Sequence, residues 1–332
     1  MKFKNAPKIE LHCHLDGSLR IGTVLELIED ENIKLDDKSY EKIKSELIVP
    51  DDCESLNEYL KRFDIPNMVM QKKDNIKRIA YELIEDVSGE NVKYIEVRFA
   101  PLLHMDGGLT IKETIESVLE GLKEGEKDFN VKSNLILSLL RHMSVESAFE
   151  VIKESKEFVG QGVVAVDLAG GEEKGFVHRY EDAFKLARDY GYRVTIHAGE
   201  TGFSENVSDA INILKAERIG HGVAILKDNK VYELVKEKNV TLEMCPKSNV
   251  QTKAVKDYLN HPIKKFLDKG LLVNLSTDNR TVSNVTLTEE CNNINEAHTL
   301  TESDMEKIYL NSIKGAFCDD KTKDWLKNQL TL

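Results

Sequence analysis

The chain has 332 residues, 58 of them acidic and 46 basic, for a net charge of −12. That balance excludes a nucleic-acid backbone or an anionic membrane surface as partner and favours a small neutral or weakly charged molecule. Five scattered cysteines (Cys13, Cys53, Cys245, Cys291, Cys318) with no C-x-x-C pair read as reduced thiols, not as a disulfide framework. The start, Met1-Lys2-Phe3-Lys4-Asn5, lacks the apolar core of a signal peptide, and no apolar run is long enough to span a bilayer. The expectation is a soluble, cytoplasmic protein. No linker divides the chain, so residues 1–332 read as one domain.

The first candidate strand, Lys8–His14, ends in His12-Cys13-His14. Alternation in a strand puts the two imidazoles on one face and Cys13 on the other. Two histidines so placed suit a metal ion, and equally suit no ligand at all. A long segment with helical patterning follows, about residues 20–88. It carries Leu56, Tyr59, Leu60 and Phe63 at i, i+3, i+4 and i+7, one apolar stripe on one helix face. The stripe reads either as ordinary helix packing or as a lid over a site.

Seven more apolar, β-branched runs come next: Val92–Phe99, Val131–Leu140, Val163–Leu168, Arg193–His197, Arg218–His221, Thr241–Cys245 and Leu271–Thr277. Helical patterns lie between most of them, over Thr110–Glu126, Ser144–Phe158, Arg179–Tyr190, Asn206–Lys215 and Asp228–Lys238. Eight alternations with buried strands predict an α/β fold, a (β/α)8 TIM barrel with a helical insertion after strand 1. An open doubly wound sheet is the other possibility. The tail from Thr301 reads as C-terminal helices closing the barrel.

In a barrel the C-terminal strand ends form one rim. Here they deliver His12 and His14, Asp167 to Glu172, His197-Ala198-Gly199-Glu200, Gly220-His221-Gly222 and Ser276-Thr277-Asp278-Asn279. His12, His14, His197 and Asp278 supply three nitrogens and an oxygen, as a mononuclear zinc site with one position for water requires. Glu200 is placed as a proton carrier beside that water, and His221, flanked by glycines, is free to aim its ring at it. Taken singly, these residues read as a capping aspartate, a turn glutamate and a core histidine; taken together they converge on one point.

The residues Leu15-Asp16-Gly17, Glu96-Val97-Arg98-Phe99-Ala100-Pro101, Asp167-Leu168-Ala169-Gly170, His197-Ala198-Gly199-Glu200, Arg218-Ile219-Gly220-His221-Gly222, Cys245-Pro246 and Ser276-Thr277-Asp278 resemble, in order, the adenosine deaminases of the zinc-dependent amidohydrolase superfamily. The H-x-E and P-C-x-x-C signature of cytidine-type deaminases is absent. The resemblance implies one zinc per chain, held by His12, His14, His197 and Asp278. It implies hydrolytic deamination of adenosine and 2′-deoxyadenosine by a zinc-activated water, a step in purine salvage. Glu200 would protonate purine N1 and His221 would orient the water, electrostatically or as a base. The Gly170 N–H would meet N3, Asp16 the ribose 5′ hydroxyl together with His14, and Leu56, Tyr59, Leu60 and Phe63 would form the lid.

One departure stands out: Asp278 is followed by Asn279 and Arg280 where better-known members have a second aspartate and a proline. An asparagine amide donates to purine N7 at any pH, so the contact survives. The alternatives are a deaminase of free adenine or another 6-aminopurine, and a non-catalytic purine-binding barrel. Arg280 keeps a nucleotide substrate in view.

Overall fold

The computed structural model describes residues 3–330. Eight strands are present: β1 (Lys8–His14), β2 (Val92–Phe99), β3 (Lys132–Leu140), β4 (Val163–Ala169), β5 (Arg193–Ala198), β6 (Arg218–His221), β7 (Thr241–Met244) and β8 (Leu272–Leu275). Each pairs in parallel with the next, in the order β1 to β8. The ring closes just beyond β8. The His14 N–H donates to the Asp278 carbonyl at 2.7 Å, and the Asp278 N–H donates to the His12 carbonyl at 2.9 Å. This closure selects the barrel over the open sheet and ties together two of the strand ends that carry rim histidines and Asp278.

Strand limits differ from the sequence reading by a residue or two. β8 stops at Leu275 rather than Thr277, because the Thr277 N–H turns inward to the Glu10 carboxylate at 3.2 Å and Asp278 enters the left-handed region at φ 65°. β7 stops at Met244 because Pro246 opens a short helix, Pro246–Gln251.

The barrel interior is layered. At the strand starts, Ile9, Leu11 and Tyr94 pack against Tyr309, Ile313 and Leu326 of the helices Glu302–Gly315 and Asp320–Gln329 and against Ala316 just after the first of them, so the tail plugs the bottom as expected. Above this plug lies a fully buried charged layer of Glu96, Arg98, Asp167, Arg218 and Glu243. Unpaired charges there would be prohibitive, and each has its partner. Arg218 bonds Glu96 at 2.5 Å and Glu243 at 2.6 Å, while Arg98 bonds Glu243 at 2.8 Å and Asp167 at 3.1 Å.

The insertion between β1 and β2 comprises α1 (Ile21–Asp30), α2 (Tyr40–Leu47), α3 (Leu56–Leu60), α4 (Asp64–Val69) and α5 (Lys73–Ser88). α5 buries Ile76, Ile79, Ala80, Leu83, Ile84 and Val87, and packs closely on the helix Ile111–Asp128. Gly121 allows that approach, since a Cβ there would stand 2.2 Å from the Lys77 carbonyl oxygen. The four residues Leu56, Tyr59, Leu60 and Phe63 do share one side, but the single helix expected to carry them is corrected. α3 ends at Leu60, and Phe63 lies on a 3-10 turn, Lys61–Phe63. Pro66 has no N–H to give the Arg62 carbonyl, so the ladder is interrupted again just beyond Phe63. Among the described residues all five cysteines are free, and no helix is long and apolar enough to cross a membrane.

Candidate active site

The rim assembles the expected residues from five strand ends. β1 turns His12 and His14 inward, while Cys13 packs outward, fully buried, with its Sγ 3.4 Å from Ser18 Oγ. His12 Nε2 lies 3.2 Å from Asp278 Oδ1, and His14 Nε2 lies 3.4 Å from the same oxygen and 3.3 Å from His197 Nε2. His12, His197, His221 and Asp278 each bring a ligand atom within 4.8 Å of the others. Five potential ligands therefore face one point.

Hydrogen bonds behind the rings decide what those ligands offer. His12 Nδ1 meets Glu243 Oε2 at 2.8 Å, and His197 Nδ1 meets Asp167 Oδ1 at 2.9 Å. A carboxylate can only accept, so both Nδ1 atoms carry protons, and each ring in its neutral, metal-binding form presents an Nε2 lone pair to the common point. Among the described residues His12 Nε2 is buried without a hydrogen-bond partner. Burial also holds the pKa of His197 down and that of His14 well down, which keeps them in the neutral form that binds metals. Ser248 Oγ donates to Asp278 Oδ2 at 2.6 Å and leaves Oδ1 facing the imidazoles. Three imidazole nitrogens with one carboxylate oxygen are a donor set that fits zinc.

Glu200 stands beside this cluster, only 5% exposed. Burial, aided by the Asp278 and Glu172 carboxylates, raises its pKa to about 8, so its carboxyl keeps a proton at neutral pH. His221 Nε2 is 3.7 Å from Glu200 Oε2. Both His221 and Asp278 are held at φ 65°, a conformation costly for residues other than glycine and concentrated at functional sites.

Two cavities open from this point and share His14, Leu60, Phe63, Ala169 and Gly170. The smaller, about 40 Å³, is lined also by Leu56, Tyr59, His197, Glu200, His221, Asp278 and Asn279. The larger, about 240 Å³, reaches Asp16, Asn67, Ser138 and His142. The apolar insertion residues thus do line the cavities, although Tyr59 also anchors its segment through a 2.7 Å bond between its hydroxyl and Ser283 Oγ. Gly170 adopts φ 92°, which a side chain would disfavour. Gly17 makes room for Asn279, because a Cβ on Gly17 would fall 1.8 Å from Asn279 Oδ1.

Arg280 points elsewhere. It is buried and bound to Glu90 at 2.5 Å, and no lysine or arginine lines either cavity among the described residues. Sequence reasoning did not single out Ser138 and Asn67. Ser138 Oγ, Asn67 Oδ1 and Asp16 Oδ1 are buried, lie on residues that line the larger cavity, and have no hydrogen-bond partner among the described residues. Glu243, Ser248 and Asn249 were missed as well. Strand parity carried a signal for Glu243, which shares the inward face of β7.

The adenosine deaminase family model matches residues 7–331. A protein named adenosine deaminase from Clostridium perfringens (strain 13 / Type A) is 57% identical over 327 residues, covering 98% of each chain. Among solved structures, an adenine deaminase from Arthrobacter aurescens superposes with a TM-score of 0.92 at 25% identity over 98% of each chain. An amidohydrolase from Burkholderia ambifaria with bound zinc superposes with a TM-score of 0.85 at 25% identity, over 99% of this chain and 93% of that one.

Proposed function

The chain belongs to the adenosine deaminase family, and from that premise we propose that it hydrolyses adenosine and 2′-deoxyadenosine to inosine and 2′-deoxyinosine, releasing ammonia, in purine salvage in the cytoplasm. On this reading residues 1–332 form one barrel domain with a helical lid over about 20–88; the first two and last two residues of that span lie outside the described part.

His12, His14, His197 and Asp278 would hold one zinc ion. Bound there, zinc supplies Lewis acidity that brings the pKa of a water toward neutrality. Glu200, protonated at neutral pH, gives its proton to purine N1 so that the ring can accept the attack at C6. His221, whose Nε2 lies 3.7 Å from Glu200 Oε2, orients the attacking water. The Gly170 N–H meets N3, and the Asn279 amide donates to N7. Asp16 and His14 receive the ribose 5′ hydroxyl, with Ser138 and Asn67 facing the sugar across the larger cavity. Leu56, Tyr59, Leu60 and Phe63 exclude water from the reacting ring.

The observation that carries this reading is a buried carboxyl, protonated at neutral pH, set beside three imidazoles and a carboxylate that converge on one point. A nucleoside suits the site better than a free base because the cavity beyond His14 is lined by polar atoms without partners. A nucleotide is disfavoured because among the described residues no lysine or arginine lines that cavity, and Arg280 is committed to Glu90. Purified protein should carry about one zinc per chain. In a panel of adenosine, deoxyadenosine, adenine and AMP, followed by the loss of adenine absorbance, it should turn over the two nucleosides fastest. Zinc-replete protein that favours adenine or AMP, or is inert on all four, overturns the reading.

A further inference from the structure

We propose that His261 is a positioning residue which, acting through Asn249, fixes the proton of His221 on Nε2. Three buried side chains form a line running away from the site. Asn249 Nδ2 is 2.9 Å from His221 Nδ1, Asn249 Oδ1 is 3.2 Å from His261 Nε2, and the Ile263 N–H donates to His261 Nδ1 at 3.4 Å. His221, Asn249 and His261 are each no more than 2% exposed, so water does not offer alternative partners.

The polarity of this line follows from one fixed donor. An amide side chain fits a pair of imidazoles in two orientations, each with its own pair of tautomers, and the two are equivalent by shape alone. A backbone N–H cannot reverse. The Ile263 N–H requires a lone pair on His261 Nδ1, and burial keeps His261 neutral with its pKa near 3, so its single proton sits on Nε2. That proton goes to Asn249 Oδ1, which turns the Asn249 NH₂ toward His221 Nδ1. His221 Nδ1 therefore accepts, and Nε2 carries the hydrogen into the site on the side of Glu200. This separates His221 from His12 and His197, whose Nδ1 protons go to carboxylates and whose Nε2 lone pairs face the metal point. It makes His221 a hydrogen-bond donor to the attacking oxygen in the resting state, and not its base; this last step rests on the deaminase reading above.

The test uses whole, zinc-loaded protein labelled with ¹⁵N at histidine, with the His221 signals identified by their loss in His221→Gln. The wild type should show the nitrogen shifts of an Nε2–H tautomer for His221. Asn249→Asp places an acceptor between two rings and should move the His221 proton to Nδ1. kcat should then fall by about tenfold or more, with KM within about twofold, as expected when a catalytic imidazole is held in the wrong tautomer. His261→Gln can still donate to Asn249 Oδ1 and should keep the wild-type spectrum and kcat within about threefold, whereas His261→Leu should give mixed tautomers and a lower kcat. An Nδ1–H tautomer in the wild type, an unchanged His221 spectrum in Asn249→Asp, or equal losses in the Gln and Leu variants overturns the proposal. Wild-type protein inactive on adenosine yet showing the expected spectra would overturn the deaminase reading and leave the tautomer assignment standing.

Discussion

The two ends of the cavity system are built on opposite principles. At the metal end, His12 and His197 are backed by Glu243 and Asp167, and those carboxylates are bound in turn by Arg98. At the sugar end, Asp16, Asn67 and Ser138 hold buried oxygens that have no protein partner among the described residues. A network whose charges are paired resists distortion, even though Arg98 Nε and His12 Nε2 within it have no hydrogen-bond partner among the described residues, whereas orphaned oxygens with no charge pairing behind them cost stability until a ligand meets them. On the proposed reading the first end orients chemistry and the second recognises the substrate. The boundary between them is His14, which touches both cavities.

The sharpest attack on the chemical end is Glu200→Gln. It keeps shape and metal binding but removes the transferable proton, so kcat should fall by about a hundredfold to ten-thousandfold with zinc content unchanged. Near-normal turnover would mean that another group delivers the proton. The pH dependence has a definite sign. Glu200 is raised from 4.5 to about 8 by burial and the neighbouring carboxylates, so the acid form is present below that value and lost as pH rises through it. kcat/KM for adenosine should accordingly decline on the alkaline side at or below about pH 8, since a cation seated nearby draws the limb lower. The same shift costs the fold stability as pH climbs from 4.5 toward 8, because the unfolded chain gives up that proton more readily.

Asp167→Asn tests whether the metal end is preorganised by its carboxylates. An amide no longer compels His197 to hold its proton on Nδ1, and Arg98 loses one of its two anionic partners. Zinc affinity, measured by competition with a chelator, should fall by about tenfold to a hundredfold. Unchanged affinity would mean that the ring is oriented by packing alone, and the contrast between the two ends would weaken.

Much of the metal end was legible in the sequence because its residues sit at strand ends next to glycines and turns. His197, Glu200, His221 and Asp278 each lie within or beside such a break, and barrel geometry brings all breaks to one rim. What lies behind them was harder to see. Ser138 is embedded in the apolar run Leu137-Ser138-Leu139-Leu140, where a hydroxyl reads as a tolerated core residue. Asn249 and His261 carry no local signal, because their meaning arises only when the helix after Cys245 packs near the turn before Ile263. The stripe Leu56, Tyr59, Leu60 and Phe63 was legible from its spacing and lines one cavity, but the change from α-helix to a 3-10 turn after Leu60 was not, because apolar spacing over two turns does not distinguish the two ladders.

The smallest predicted effect is the most discriminating for the sugar end. Ser138 Oγ is buried and unpartnered among the described residues, with the residue only 3% exposed. Ser138→Ala therefore breaks no bond within the protein, and thermal stability should stay level or rise, the reverse of the usual result of deleting a buried hydroxyl. If that oxygen meets the ribose, KM for adenosine should rise by about fivefold, the equivalent of one neutral hydrogen bond of about 1 kcal/mol. Turnover of any adenine accepted as a poor substrate should not change, because the proposed reading puts the base toward Glu200 and Asn279, which line the smaller cavity. Opposite signs on stability and on nucleoside affinity from a single atom would mark the sugar end as a surface built for its ligand at the expense of the fold. Equal losses for adenosine and adenine would make Ser138 a packing residue and move the line between the two ends beyond it.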